Sequence, residues 1–430
     1  MSITCELDEK DWVDGINLLS ELIQAHPIYG SEGMRKAQDA LLSYFKKNEW
    51  PIVFEDSFEV SSIESHPEYV QVESFGPIYA NYRQVPKKNI IAVIESGFDG
   101  PHLILNGHID VERVHCPEAW MVSEGWKSGE IVGDKIYGRG ATDMLSGLVG
   151  MILAANALRK NPTGWKGRII LTIVTDEEIG GNGTLRSLLW LKEKGYLTEQ
   201  TGCLIGEPSD RSFSLSSLGF LHIAFEIKTP PVHMGAASYK KSSLFILSEL
   251  ISNFEKLMLQ AAFQIFPSIQ PTSLAANLGI IQGGDDAAIP IPNLLVEGVV
   301  FIPEEVDEEL FKKIFSKKIQ NLFPTIQIKW GDFSFKGASY PPFYLSKAFE
   351  QQGIFEKTFR SPCDARLYKS FSIPVVIYGP GSIAQAHSTD EWVSLLEIRE
   401  YTNHLIQAIS NGHTLSPSTQ EDQSSSLLSI

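Results

Sequence analysis

Five short segments of this 430-residue chain carry a histidine or a carboxylate just beyond an apolar run. In GHIDV, Gly107 to Val111, His108 and Asp110 stand two residues apart at the end of the run HLILNGHIDV. Alternate residues of a strand share a face, so the two side chains project together. A metal-bound imidazole whose other ring N–H is held by a carboxylate needs such a pairing; alone, the pair also reads as a structural contact at a strand end. Asp143 lies in YGRGATDMLSG, among glycines and small residues just ahead of a predicted helix. A carboxylate there can approach metal closely and bridge two ions with its two oxygens, or it can simply cap the helix. Asp176, Glu177 and Glu178 follow the β-branched run IILTIV. Three acids at the end of a buried strand repel one another unless a cation compensates, the alternative being a solvated acidic turn. Neighbouring acids can divide the labour, and we assign Glu178 to a metal and Glu177 to general base and acid. Glu207 ends the run LIGEP, and His387 follows VVIYGPG in AHSTDEW.

Each segment is weak alone. Together they place His108, Asp143, Glu178, Glu207 and His387 beyond strand ends, on the edge where open α/β sheets bind ligands. Mixed imidazole and carboxylate ligation without thiolate suits a dinuclear hydrolytic centre. The four cysteines, Cys5, Cys116, Cys203 and Cys363, form no CxxC pair, so neither a disulfide framework nor a thiolate zinc site is expected. That usage points to a reducing, cytoplasmic compartment.

These residues need elements to hold them. Amphipathic spacing predicts helices over 9–25 and 31–47, the first with Trp12, Ile16, Leu19, Leu22 and Ile23 on one face. Apolar runs predict strands at 89–96, 102–111, 167–178 and 202–208, with helices at 144–160 and 185–195 between them. Continuous apolar strands alternating with helices imply an α/β domain, its mostly parallel sheet covered by helices on both faces. The pattern changes near residue 212. Strands at 212–229, 273–282, 294–302 and 325–335, with helices at 241–260 and 304–322, read β-α-β-β-α-β, a ferredoxin-like α+β unit. The first pattern then resumes with a helix at 345–352, a strand at 373–381 and a helix at 391–411. We therefore expect a catalytic domain in two parts, 1–216 and 336–412, an inserted lid at 217–335, and a disordered Ser-rich tail at 413–430.

Hydrophobic residues make up 43% of the chain and charged residues 20%, as in soluble globular proteins. The net charge of −16 disfavours nucleic acid and anionic membranes as partners. The N-terminal stretch is acidic with no apolar signal region, and no run reaches the ~18 apolar residues of a membrane span.

GHIDV, GRGATDM, TDEEIGG, GEP and AHSTDEW occur in an order that resembles the zinc aminoacylase/carboxypeptidase family of metallopeptidases. That family includes acetylornithine deacetylase, succinyl-diaminopimelate desuccinylase, aminoacylase and glutamate carboxypeptidase. The resemblance spans about 1–412, and CDAR at 363–366 and GPG at 379–381 extend it into the C-terminal part. It implies two divalent metal ions, zinc foremost and cobalt or manganese as substitutes. Asp143 would bridge them, with His108 and Glu207 completing one site and Glu178 and His387 the other. Glu177 would take a proton from a shared water and pass it to the leaving amine, and Asp110 would orient His108. The resemblance also implies a cis peptide after Asp143. It further implies a homodimer in which His233, in TPPVHMG, reaches the partner's scissile carbonyl oxygen. A small-molecule amide, an N-acyl amino acid or relative, would be the substrate, with Arg366 and Gly381 as its contacts. A dipeptidase or carboxypeptidase on the same scaffold is the closest rival, and a non-catalytic binding protein the other.

The lid departs from the family's pattern. Ala287 and Ala288 stand near an expected Asn, and Val299 to Ile302 occupy the stretch where an Arg is expected. Losing that guanidinium removes a bidentate carboxylate clamp, leaving Arg366 as a carboxylate binder or, alternatively, a structural ion pair. The aromatic-rich segment 57–88 either lines the cleft entrance or forms a surface excursion with its own small cluster.

Overall fold

The computed structural model describes residues 6–122, 125–238 and 242–412, so the expected tail at 413–430 lies outside the described residues. In chain order, the strands of its two large sheets are β1 (Ile52–Phe58), β2 (Lys87–Glu95), β3 (His102–His108), β4 (Arg168–Val174), β5 (Thr201–Ile205), β6 (Gly219–Lys228), β7 (Ala275–Gln282), β8 (Asn293–Ile302), β9 (Ile326–Phe335) and β10 (Val375–Ile377). The helices are α1 (Glu9–Ala25), α2 (Glu32–Lys47), α3 (Ser146–Lys160), α4 (Asn182–Glu193), α5 (Ser243–Ile265), α6 (Glu308–Leu322), α7 (Tyr344–Gln351), α8 (Ala365–Ser370) and α9 (Leu395–Gly412).

The larger sheet has the order β1-β2-β4-β3-β5-β10. β4, β3, β5 and β10 run parallel, while β2 is antiparallel to both its neighbours. The apolar runs are continuous because both faces are buried: Leu103 and Leu105 of β3 enter one core with α1, α3 and α9, and Ile104 enters another with α4 and α8. Local signals fix the helix starts. Asp8 accepts from Lys10 N at the head of α1, and Ser31 accepts from Met34 N at the head of α2. α3 runs through the centre and is buried nearly all round. The extended stretch Ala141–Lys160 that contains it is the one helix among the described residues long and apolar enough to cross a membrane, and it is wholly buried. Gly147 lets α3 approach the segment after β5, because a Cβ there would meet Gly206 O at 1.9 Å.

The stretch from β6 to β9 forms a second, fully antiparallel sheet of order β7-β8-β6-β9, backed by α5 and α6. Leu221, Ile223, Phe225 and Ile227 of β6 point into that core, so the intervening residues face the other way. A two-stranded ribbon, Ser216–Ser217 with Ala338–Ser339, ties together the chain's exit from and return to the larger domain. We accordingly propose 217–335 as the inserted unit and 1–216 with 336–412 as the other.

Three features departed from or escaped the sequence reading. Helix α9 starts at Leu395, because Trp392–Ser394 is a strand paired with Lys135–Tyr137, which in turn pairs with Ile131–Val132. The edge strand β1 and the short helix α8 carry too few periodic residues to be recognised. Segment 57–88 contains four short 3-10 turns, and Val60, Val70, Val72 and Tyr82 do form a small cluster of their own with Ile179.

Candidate metal centre

The ends of parallel strands converge as the sequence requires. His108 is the last residue of β3; Asp176, Glu177 and Glu178 follow β4; Glu207 follows β5; His387 follows β10. Asp143 enters from the turn ahead of α3, and the peptide bond after it is cis. His108 Nε2 lies 3.2 Å from Asp143 Oδ1 and 3.6 Å from Glu207 Oε1. His387 Nε2 lies 3.4 Å from Asp143 Oδ2 and 3.0 Å from Glu178 Oε2. Asp143 thus turns one oxygen to each imidazole, and the donors divide into two sets that share it. Glu177 Oε2 is 3.9 Å from His108 Nε2, so this carboxylate also faces the centre.

The surroundings hold the donors in place. His108 Nδ1 lies 2.8 Å from the backbone carbonyl of Asp110, while the nearer Asp110 carboxylate oxygen is 3.8 Å away. That carboxylate instead accepts from Glu177 N at 3.3 Å and Glu178 N at 3.1 Å. Asp110 therefore orients the imidazole through its main chain and fixes the acidic turn through its side chain, which differs from the carboxylate–imidazole pairing read from GHIDV. Asp176 faces away from the donors and accepts from Gly183 N at 2.7 Å and Tyr82 OH at 2.5 Å.

A buried ion pair escaped the sequence reading. Glu391 Oε1 accepts from Gly140 N, Thr142 N and Asp143 N at 2.9–3.1 Å. Glu391 Oε2 pairs with Arg139 Nη1 at 2.8 Å, and Arg139 Nη2 donates to His387 O at 3.1 Å. One pair thereby ties the Asp143 turn to the His387 segment. Its only sequence signal is an arginine and a glutamate within two motifs already singled out, GRGATDM and AHSTDEW.

Charges at the centre do not balance by themselves. Burial pushes Glu177 and Glu207 well above the ordinary glutamate range, and neighbouring carboxylates add to it. Burial also raises Asp143, but hydrogen bonds with His108 and His387 outweigh it and hold that carboxyl below its usual range. His108 rises despite its burial because Asp143 and nearby acids favour the imidazolium; His387, against the same opposition, is pushed up to about 12, chiefly by Glu178. Four carboxylates facing two imidazoles make a site whose chemistry fits divalent cations, which would neutralise the buried acids without protons.

The remaining expected residues are placed differently. Arg366 lines the cavity beside the centre, but its Nη1 donates to Glu68 at 3.2 Å and its Nη2 to Gly180 O at 2.9 Å. Gly381 N donates to Glu397 Oε2 at 3.1 Å, and its carbonyl accepts from Asp210 N at 3.0 Å, so its polar atoms already serve the turn after β10. His233 is exposed on the loop after β6, with Nδ1 accepting from Gly235 N, and does not join the cluster within this chain.

Known proteins are similar to this chain in sequence and in fold. N-formyl-4-amino-5-aminomethyl-2-methylpyrimidine deformylase of Bacillus subtilis is 25% identical over 345 residues, covering 71% of this chain and 78% of that protein. Succinyl-diaminopimelate desuccinylase of a Bradyrhizobium strain is 38% identical over 117 residues, 27% of this chain and 29% of that protein. Among solved structures, human carnosine dipeptidase 1 matches with a TM-score of 0.67 at 13% identity, over 95% of this chain and 98% of that one. The M20 family metallo-carboxypeptidase Sso-CP2 of Sulfolobus solfataricus matches with a TM-score of 0.66 at 14% identity, over 95% of this chain and all of that one. The sequence profile of peptidase family M20/M25/M40 matches residues 104–411, and this chain belongs to that family.

Proposed function

We propose that this chain is a dinuclear metal hydrolase that cleaves the amide bond of a small N-acyl compound. The observation that carries the proposal is the division of Asp143: Oδ1 faces His108 and Oδ2 faces His387, each imidazole with its own glutamate. His108, Asp143 and Glu207 would hold one ion, and His387, Asp143 and Glu178 the other. Bound divalent ions supply Lewis acidity, making a shared water more acidic and polarising the scissile carbonyl. Glu177 stands beside these donors and lines the cavity, where its carboxylate can take a proton from attacking water and return it to the leaving nitrogen. Asp110 keeps Nδ1 of His108 engaged, leaving Nε2 as the donor. Zinc is the ion we propose; cobalt and manganese accept the same donors.

Two curated relatives that match most of this chain are named for removing a formyl group from an aminomethylpyrimidine, and several shorter matches for removing a succinyl group. The proposed substrate is therefore an N-acylated amine rather than a polypeptide, in a cytoplasmic setting. We also propose a homodimer, in which the exposed His233, flanked by exposed Val232 and Met234, serves the second copy's site. Zinc- or cobalt-loaded protein should release amine from at least one of an N-formyl, N-acetyl, N-succinyl and dipeptide panel. Failure on the whole panel with two ions bound would sink the hydrolase reading. Sedimentation as a monomer at enzymatic concentrations, with full activity in His233→Ala, would sink the role of the second copy.

A further inference from the structure

The cavity beside the metal donors, about 290 Å³ in volume, has two chemically different walls. One is formed by Glu177, Glu178, His387 and Asp364. The other comes mainly from the lid sheet and is built of Phe220, Phe301, Phe333 and Phe335, with Phe75 from the larger domain completing it. Strand register assembles this wall. Phe220 on β6 is paired with Phe301 on β8 and with Phe335 on β9, so the three rings stand abreast on the face opposite the lid core. Trp330 lies against the lid core, so alternation along β9 puts Phe333 on the cavity side with Phe335. Phe220 lies 5.2 Å from Phe333, 5.7 Å from Phe335 and 6.0 Å from Phe301, centre to centre. Phe75 meets Phe333 edge-on at 4.5 Å.

All five rings are only half-buried, and they cluster around an open cavity next to the chemistry. A concentrated apolar surface left to water in that position marks a binding site. The lid strands supply it with no cation. Phe301 falls within 299–302, the stretch where the family resemblance leads one to expect an arginine. Among the described residues lining the cavity, Arg366 is the only arginine or lysine; it packs 4.4 Å over Phe335 and is engaged by Glu68 and Gly180. A free α-carboxylate would face aromatic rings on one side and acids on the other.

We propose that this wall selects an amide whose non-reacting part is an uncharged flat ring or a bulky apolar group, and disfavours one carrying a free carboxylate there. The inference rests on the amide-hydrolase reading of the adjoining centre and adds the substrate class. A volume of about 290 Å³ accommodates one ring system with its amide.

Calorimetry on the metal-loaded protein, with N-acetylbenzylamine and N-acetylglycine as probes, tests it. The benzyl compound should bind at least about tenfold more tightly. Phe301→Ala and Phe333→Ala should each weaken the benzyl compound more than the glycine compound. Phe301→Arg, which places a guanidinium on the wall, should narrow or reverse the preference. Equal or tighter binding of N-acetylglycine by the unaltered protein overturns the proposal, as does an unchanged preference in all three variants. Amine release is scored separately. Preferential benzyl binding without turnover of any amide removes the hydrolase reading and leaves the binding preference; faster turnover of N-acetylglycine removes the preference and leaves the hydrolase reading.

Discussion

The two walls of the cavity hold opposite kinds of information. The proposed metal-binding wall is charged and drawn largely from segments that follow the ends of parallel strands. The lid wall is apolar, half-exposed and built from the broad face of an antiparallel sheet, where alternate residues contribute. Division of labour follows from the chemistry. Acids and imidazoles can hold ions and move protons but cannot discriminate much among uncharged groups, whereas aromatic rings can grip a flat group and do nothing to a bond. Changes on one wall should therefore alter rate, and changes on the other should alter affinity.

The largest effect is expected from Glu177→Gln, which keeps the shape and removes the proton acceptor. Turnover should fall about a thousandfold, while bound metal and N-acetylbenzylamine affinity stay within a few-fold of the unaltered protein. Retained turnover would refute its role as base, and lost affinity would blur the contrast between the walls. Next is Arg139→Met, which leaves Glu391 buried without its partner. Denaturant unfolding should show a loss of about 3–5 kcal/mol, accompanied by weaker metal binding, because the pair joins the Asp143 turn to the His387 segment. A loss below 1 kcal/mol would mean that the pair is dispensable.

His26, the residue that ends α1, gives a pH-dependent effect. Burial, with Lys127 and Arg139 nearby, lowers its pKa from 6.5 to about 4. Between those values the unfolded chain binds the proton and the folded chain does not, so this contribution to stability is intact above pH 6.5 and is lost as pH falls towards 4. The loss should reach up to about 3 kcal/mol, and His26→Gln should show a flatter stability profile over that interval. Parallel profiles would assign the acid sensitivity elsewhere. The smallest effect is expected from Phe333→Ala: about a tenfold rise in KM for an aromatic amide, with kcat and metal content nearly unchanged. A drop in kcat with constant KM would place this ring in the chemistry and break the division.

The same contrast explains what the sequence made legible. The proposed metal donors were legible because His108, Glu178 and Glu207 stand at or just past apolar runs, and because Asp143 and His387 lie in motifs that occur in the family's order. The β-α-β-β-α-β lid was legible for a similar reason, since its alternating strands and amphipathic helices are local patterns. The phenylalanine wall was not. Phe75, Phe220, Phe301, Phe333 and Phe335 are scattered, and only strand pairing and the fold of segment 57–88 make them neighbours. Arg139 and Glu391 were missed because their partnership spans two distant segments. Asp110 was found, but only side-chain geometry shows its carbonyl taking the imidazole and its carboxylate the acidic turn.

Metal stoichiometry tests the central claim most directly. Protein loaded with zinc and dialysed, then measured by elemental mass spectrometry, should hold about two ions per chain. Glu207→Ala and His387→Ala should each retain about one, and Asp143→Ala less than one, because Asp143 is shared. One ion per chain in the unaltered protein, or two retained by a folded Asp143→Ala, would contradict a centre built around that carboxylate.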